Sequence, residues 1–165
     1  MNEFKESQPN IEQSPAEVKV EKYEANSWRD IREQIMAIED AAFNNTGYGE
    51  GMMEGLFENQ SNLNYLLKDS EGKIIGYTQA LINGDSAYIM NTAIKPEYHG
   101  KGNVGALMKD LELELRTRGV KWITRDSAVE NGYADKIQKH YGERVVETRE
   151  RMSPWGKQRH FKIEL

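Results

Sequence analysis

Three glycines in six residues, Gly100-Lys101-Gly102-Asn103-Val104-Gly105, stand between an apolar run and an amphipathic one. Upstream, Ala87-Tyr88-Ile89-Met90-Asn91-Thr92-Ala93-Ile94 reads as a strand. Lys95-Pro96-Glu97 ends it, because proline supplies no ladder donor. Downstream, Val104, Leu107, Met108, Leu111 and Leu115 recur at helical spacing, which predicts a helix over Val104–Arg118 with these five on one buried stripe. Gly119 stops that helix. Glycine lets the backbone turn tightly and come close to a ligand. The helix start then offers unpaired N–H groups and the positive end of its dipole. Strand, glycine turn and helix start together make a phosphate-binding element.

The rest of the chain supplies alternating elements. Residues 1–16 are polar, with Pro9 and Pro15, and read as a disordered tail; residues 17–165 read as one domain. Glu17–Tyr23 predicts a first strand. Ser27 is placed as the N-cap of a helix over Trp28–Phe43, whose Ile31, Ile35, Ile38 and Ala42 keep helical spacing. After an Asn44–Gly49 loop, Glu50–Asn59 predicts a short helix. Asn64–Lys68, Lys73–Ile82 and Ala87–Ile94 are separated by turn residues and read as an antiparallel meander. Beyond the glycines, Val120–Asp126 is a strand reached by a helical crossover, hence parallel to its predecessor. Tyr133–Tyr141 is a short helix, and Val145–Arg151 and Arg159–Leu165 are the last two strands.

Bulk properties narrow the function. The chain has no cysteine, which excludes disulfides, thiolate metal sites and a cysteine nucleophile, and fits a cytoplasmic location. No run of about 18 apolar residues is present, so no membrane partner is expected. No basic run with interleaved aromatics appears, so no nucleic-acid partner is expected either. His99, His140 and His160 lack ligand spacing, so no metal is predicted. The net charge of −5 is uneven: residues 95–165 carry +4 and residues 1–94 carry −9. The basic half holds the glycine turn and suits a polyanion, while the acidic half suits a cationic amine.

The glycine run matches G-x-G-x-x-G, and Asp126 follows about 20 residues on, as a dinucleotide fold requires. Against that reading, five residues separate strand from glycines, the preceding elements form a meander, and too little chain follows for a doubly wound sheet. A Walker A loop lacks its Gly-Lys-Ser/Thr. Ile94-Lys95-Pro96-Glu97-Tyr98-His99-Gly100-Lys101-Gly102 instead resembles the core motif of the GNAT superfamily, the acyl-CoA-dependent N-acyltransferases. The element order from Val18 to Leu165 is similar to that family's as well. The resemblance implies an α/β (α+β) fold: a mixed, mostly antiparallel sheet of about seven strands, flanked by helices, with a splayed parallel pair at the cofactor site.

It also implies acetyl-CoA as cofactor. The amides from Gly100 through Lys101, Gly102, Asn103 and Val104 to Gly105 would cradle its pyrophosphate, with His99 where the family has Arg or Gln. Thr92, Ala93 and Ile94 would pair with pantetheine, and a backbone amide near Ala93 would polarise the thioester carbonyl. Asn131-Gly132-Tyr133-Ala134 resembles the family segment whose Asn contacts cofactor; its later Tyr, often the acid for the leaving thiolate, is Gln138 here. Tyr141 is the substitute acid, with Tyr133 as the other candidate and a core aromatic as the alternative for Tyr141. Asp126 is the base, where bacterial ribosomal-protein N-acetyltransferases carry a glutamate, and its alternative is an ion pair with Arg125 or Lys136. Ile38-Glu39-Asp40-Ala41-Ala42-Phe43 resembles that same subgroup, so that Phe43, Tyr48 and Asn91 would border the acceptor. Glu39, Glu50 and Glu54 either attract the amine or form a solvated helix face. The expected activity is direct acetyl transfer to a primary amine on a small molecule or a protein, by a monomer or homodimer. The alternatives are a CoA-binding sensor with little turnover and a small dinucleotide-dependent oxidoreductase.

Overall fold

The computed structural model describes residues 17–44 and 47–165. The expected tail and two residues of the expected Asn44–Gly49 loop lie outside them. In chain order the elements are β1 Lys19–Lys22, α1 Trp28–Phe43, α2 Glu50–Glu58, β2 Asn62–Lys68, β3 Ile74–Asn83, β4 Ser86–Ile94, α3 Asn103–Thr117, β5 Trp122–Ala128, α4 Tyr133–Tyr141, β6 Val145–Ser153 and β7 Gly156–Glu164. The strands form one sheet in the order β1-β2-β3-β4-β5-β7-β6. Every pairing is antiparallel except β4 with β5. A mixed α/β fold with a single parallel pair follows, as expected.

Each face of the sheet carries its own core. On one, the α3 stripe of Leu107, Met108, Leu111 and Leu115 meets Leu63, Leu67, Ile89, Ile123, Phe161 and Ile163, all buried. On the other, Ile35 and Ile38 of α1 and Met53 and Phe57 of α2 cover Leu66, Tyr77 and Ala93. The Phe57 ring lies 5.4 Å from Trp28 and 5.8 Å from Tyr77, centroid to centroid. Each such side chain, once buried, contributes about 1.5–3 kcal/mol.

Two local expectations are corrected. Val104, assigned to the α3 stripe, is 36% exposed. It occupies the second position of α3, on the open first turn rather than over the sheet. Ser27 precedes α1 as expected but does not cap it: its hydroxyl donates backwards to the Glu24 carbonyl at 2.9 Å. No helix among the described residues is long and apolar enough to cross a membrane.

Candidate active site

The parallel pair is short. β4 and β5 pair at Ser86–Trp122, Ala87–Ile123 and Tyr88–Thr124, and nowhere beyond. From there β4 runs on to Ile94 and β5 to Ala128 as the two prongs of a fork. The Lys95 N–H donates to the Ile75 carbonyl at 2.8 Å, on the β3 side. Peptide groups alternate along a strand, so the N–H groups of Thr92 and Ile94 face the fork and that of Ala93 faces β3. Of the amides near Ala93, those of Thr92 and Ile94 therefore open onto the fork and that of Ala93 does not.

At the end of the β4 prong, Pro96–Tyr98 makes one 3-10 turn and the glycines follow. Gly100 and Gly102 have φ of 73° and 76°, where a side chain is strained, and a Cβ on either would meet nothing within 4 Å. The space before them is open. Asn103 braces the turn, donating from its amide to the Tyr98 carbonyl at 3.0 Å. The His99 ring donates to the Ile94 carbonyl at 2.7 Å, so this imidazole holds the turn to the strand end. Lys101 lies 5.4 Å from the Tyr98 ring centre. The first N–H groups of α3, on Asn103, Val104 and Gly105, precede the first helical bond, from the Ala106 N–H to the Gly102 carbonyl, and have no acceptor in the helix. These donors, with the unpaired edge of β4, fit a long phosphorylated cofactor such as coenzyme A.

A bulge shapes the other wall. Gln79 pairs with Asn91 and Ala80 with Ile89, which leaves Met90 of β4 without a partner. Side chains alternate along a strand, so this one-residue slip puts Tyr88 and Asn91 on the same face. Tyr88 donates its hydroxyl to Asp126 Oδ2 at 2.9 Å. Arg151 donates to the same oxygen at 3.2 Å, and His160 Nδ1 lies 3.1 Å from Oδ1. Asp126 is thus held by three groups from β4, β6 and β7, neither of the two expected partners among them, and remains 14% exposed. Burial, then the bond to Asp126, pushes the Tyr88 phenol up to about 12.

Deeper on this face lies a carboxylate. Glu39 of α1 is 1% exposed, not part of a solvated helix face. Tyr77 donates its hydroxyl to Glu39 Oε2, the Asn91 amide nitrogen lies 2.9 Å from both that oxygen and the Tyr77 hydroxyl, and the Tyr48 N–H donates to Oε1 at 2.9 Å. Burial first, and Glu39 second, raise the Tyr77 and Tyr48 phenols. A Cβ at Gly47 would stand 2.5 Å from Glu39 Oε1, so only glycine fits there without movement. Phe43 and Tyr48 are half-buried against this core, and Asn91 is spent on bracing it.

Tyr141 lies on the opposite face of the sheet from Asp126, in the core with Ile123 and Phe161. Its hydroxyl is buried without a hydrogen-bond partner among the described residues, and burial pushes it up to about 12. The structure does not bring Asp126 and Tyr141 together. Asn131 is exposed at the start of α4 and accepts from the Tyr133 N–H at 3.0 Å. Gln138 is half-buried on α4.

Sequence reasoning missed Tyr77, Tyr88, Arg151 and His160. The burial of Glu39 had a signal, since Ile31, Ile35 and Glu39 follow one another at four-residue steps.

Comparison with known proteins agrees with this geometry. The sequence model of the acetyltransferase (GNAT) family matches residues 28–135. A Bacillus subtilis protein with the provisional name ribosomal protein bS18-alanine N-acetyltransferase is 26% identical over 110 residues, 67% of this chain and 72% of its own. The crystal structure of the ribosomal-protein-S18-alanine N-acetyltransferase from Escherichia coli superposes with a TM-score of 0.72 at 20% identity, covering 90% of this chain and 93% of that one. PaiA N-acetyltransferase from Thermoplasma acidophilum, solved in complex with coenzyme A, gives 0.66 at 12% identity, over 90% of this chain and 99% of that one. The chain is therefore an enzyme of the acetyltransferase (GNAT) family.

Proposed function

We propose that this acetyltransferase uses acetyl-CoA and acetylates a primary amine by direct attack, with a protein N-terminus as the favoured acceptor. The fork between β4 and β5 carries the reading: phosphate donors lie at the end of one prong, and a held, partly exposed carboxylate stands beside its base. The name of the Bacillus subtilis relative supports a protein acceptor. When bound, acetyl-CoA supplies the activated acyl carbonyl. The amides of Gly100, Lys101, Gly102, Asn103, Val104 and Gly105 hold phosphate oxygens, and His99 fixes the turn that presents them. Thr92 and Ile94 offer their fork-facing N–H groups to the pantetheine and the carbonyl, and Asn131 borders it from the loop before α4. Phe43 and Tyr48 wall the acceptor, with Asn91 stiffening that wall through Glu39. Asp126 takes the proton of the incoming ammonium. Most of the rate comes from holding amine and carbonyl in line. Tyr141 has a packing role.

Gln138, where a phenol would serve as acid, favours one other reading, a domain that binds CoA with little turnover. Thermal shift with acetyl-CoA, CoA and NADH in parallel, followed by mass spectrometry of an N-terminal peptide panel with acetyl-CoA, tests both. Stabilisation by acetyl-CoA and a mass gain of one acetyl group on peptide α-amines is the expected result. Stabilisation without acetylation of any amine favours the sensor, and stabilisation by NADH alone overturns both.

A further inference from the structure

Arg125 is the first residue of β5 past its last pair with β4, at the apex of the fork. It is 8% exposed. Among the described residues its Nε has no hydrogen-bond partner and no ion pair includes it. Glu112, the buried carboxylate on that face, is taken by Arg144 at 3.2 Å. Around Arg125 stand phenols rather than carboxylates: Tyr141 and Tyr133 of α4 and, from the β4 prong, Tyr88 all act on it electrostatically, while burial works against its charge. A buried guanidinium without an anion is costly, and a charge desolvated in this way in a cleft marks a candidate functional residue. The place where it is buried is the place where the fork would hold the thioester. The leaving sulfur needs help there, because Gln138 has no proton to give and burial holds the proton of the neighbouring Tyr141 phenol, pushed up to about 12.

We infer that Arg125 binds the sulfur of the leaving coenzyme A as a thiolate at the apex of the β4–β5 fork. The inference rests on the acetyl-CoA reading above. The acceptor nitrogen donates its lone pair to the acyl carbon and a C–N bond forms. The C–S bond breaks, with both electrons going to sulfur. Two protons leave the nitrogen, one from the ammonium before attack, which frees the lone pair, and one after the C–N bond forms; each passes to Asp126 and from there to solvent. Arg125 keeps all its protons, and its positive charge offsets the thiolate. The group supplied is an ion partner in place of an acid, a permanent charge suited to a soft anion in a dry site.

The test needs no turnover. The thiol of CoA bound to the full chain is titrated by its ultraviolet absorbance against free CoA, for the wild type, Arg125→Met and Arg125→Lys. Calorimetry then compares CoA with desulfo-CoA on each protein. The wild type is expected to ionise bound CoA at least about one pH unit below free CoA, a tenfold preference for thiolate. Arg125→Lys retains part of the shift, and Arg125→Met loses it together with the preference for CoA over desulfo-CoA. If wild-type-bound and free CoA titrate alike, the inference is overturned while the acetyl-CoA reading stands. That comparison needs no variant, so a failure of Arg125→Met to fold does not blunt it. If neither CoA nor acetyl-CoA binds, both fall. If succinyl-CoA binds at least about tenfold tighter than acetyl-CoA and only Arg125→Met removes the difference, the guanidinium reads an acyl carboxylate, and the thiolate role is overturned.

Discussion

Tyr88 and Asp126 are joined at 2.9 Å across the point where β4 and β5 part, and the bulge at Met90 lets Asn91 share their face. If Asp126 is the base, Asp126→Asn lowers kcat/KM for the amine roughly 100-fold, most at low pH, where the acceptor arrives as ammonium. Tyr88→Phe removes one of three donors and costs less, about tenfold. Rates for both variants between about pH 6 and 9 check this. An Asp126→Asn rate equal to wild type throughout would remove Asp126 from the chemistry.

Glu39 gathers Tyr77, Asn91 and the Tyr48 N–H around a buried carboxylate. Glu39→Ala leaves these donors buried and unpaired, so a loss of about 3 kcal/mol or more is expected in urea denaturation. Glu39→Gln keeps an acceptor oxygen and loses roughly half as much. Two variants of equal stability would mean that the carboxylate is not what anchors α1 to the sheet.

Gly102 needs its positive φ of 76° but has open space before it. Gly102→Ala therefore costs about 1 kcal/mol from the backbone alone. The larger effect is expected on acetyl-CoA affinity, because the methyl group stands where the phosphates would approach. Calorimetric affinities beside melting temperatures separate the two. Unchanged affinity in a folded variant would move the phosphates elsewhere.

Tyr23, Tyr65, Tyr88 and Tyr141 are each pushed up to about 12, in every case first by burial. A phenol that holds its proton more firmly when folded favours the fold below its ordinary value of 10 and loses that advantage as pH rises towards 12. The urea midpoint should therefore fall steadily above about pH 10. Tyr65→Phe should flatten that fall, and a midpoint independent of pH in this range would contradict it.

Much of this was legible beforehand. Trp28–Phe43 and Tyr133–Tyr141 have their expected ends, because an apolar residue every third or fourth position can be read locally. The glycine turn announced itself by composition, and Asp126 was singled out only through the family resemblance. The company those residues keep was not legible. Arg151 and His160 reach Asp126 from a hairpin 25 and 34 residues away, and strand alternation carries no mark of the partner strand. The bulge at Met90 is a property of the β3–β4 register, which the β4 sequence alone does not contain. Val104 misled because an apolar residue at helical spacing was counted into a stripe that begins one turn later.

Three residue pairs are the whole seam between β4 and β5. Mechanically the seven strands are thus two panels, β1–β4 and β5–β7–β6, hinged along one edge like a half-open book. A molecule whose amides run along the free margin of β4 does the work of an eighth strand and staples the panels at their open side. If a pantetheine pairs there, amide hydrogens of Thr92 and Ile94 are expected to exchange more slowly with acetyl-CoA bound than without it, while those of β2, already flanked by β1 and β3, are expected not to change.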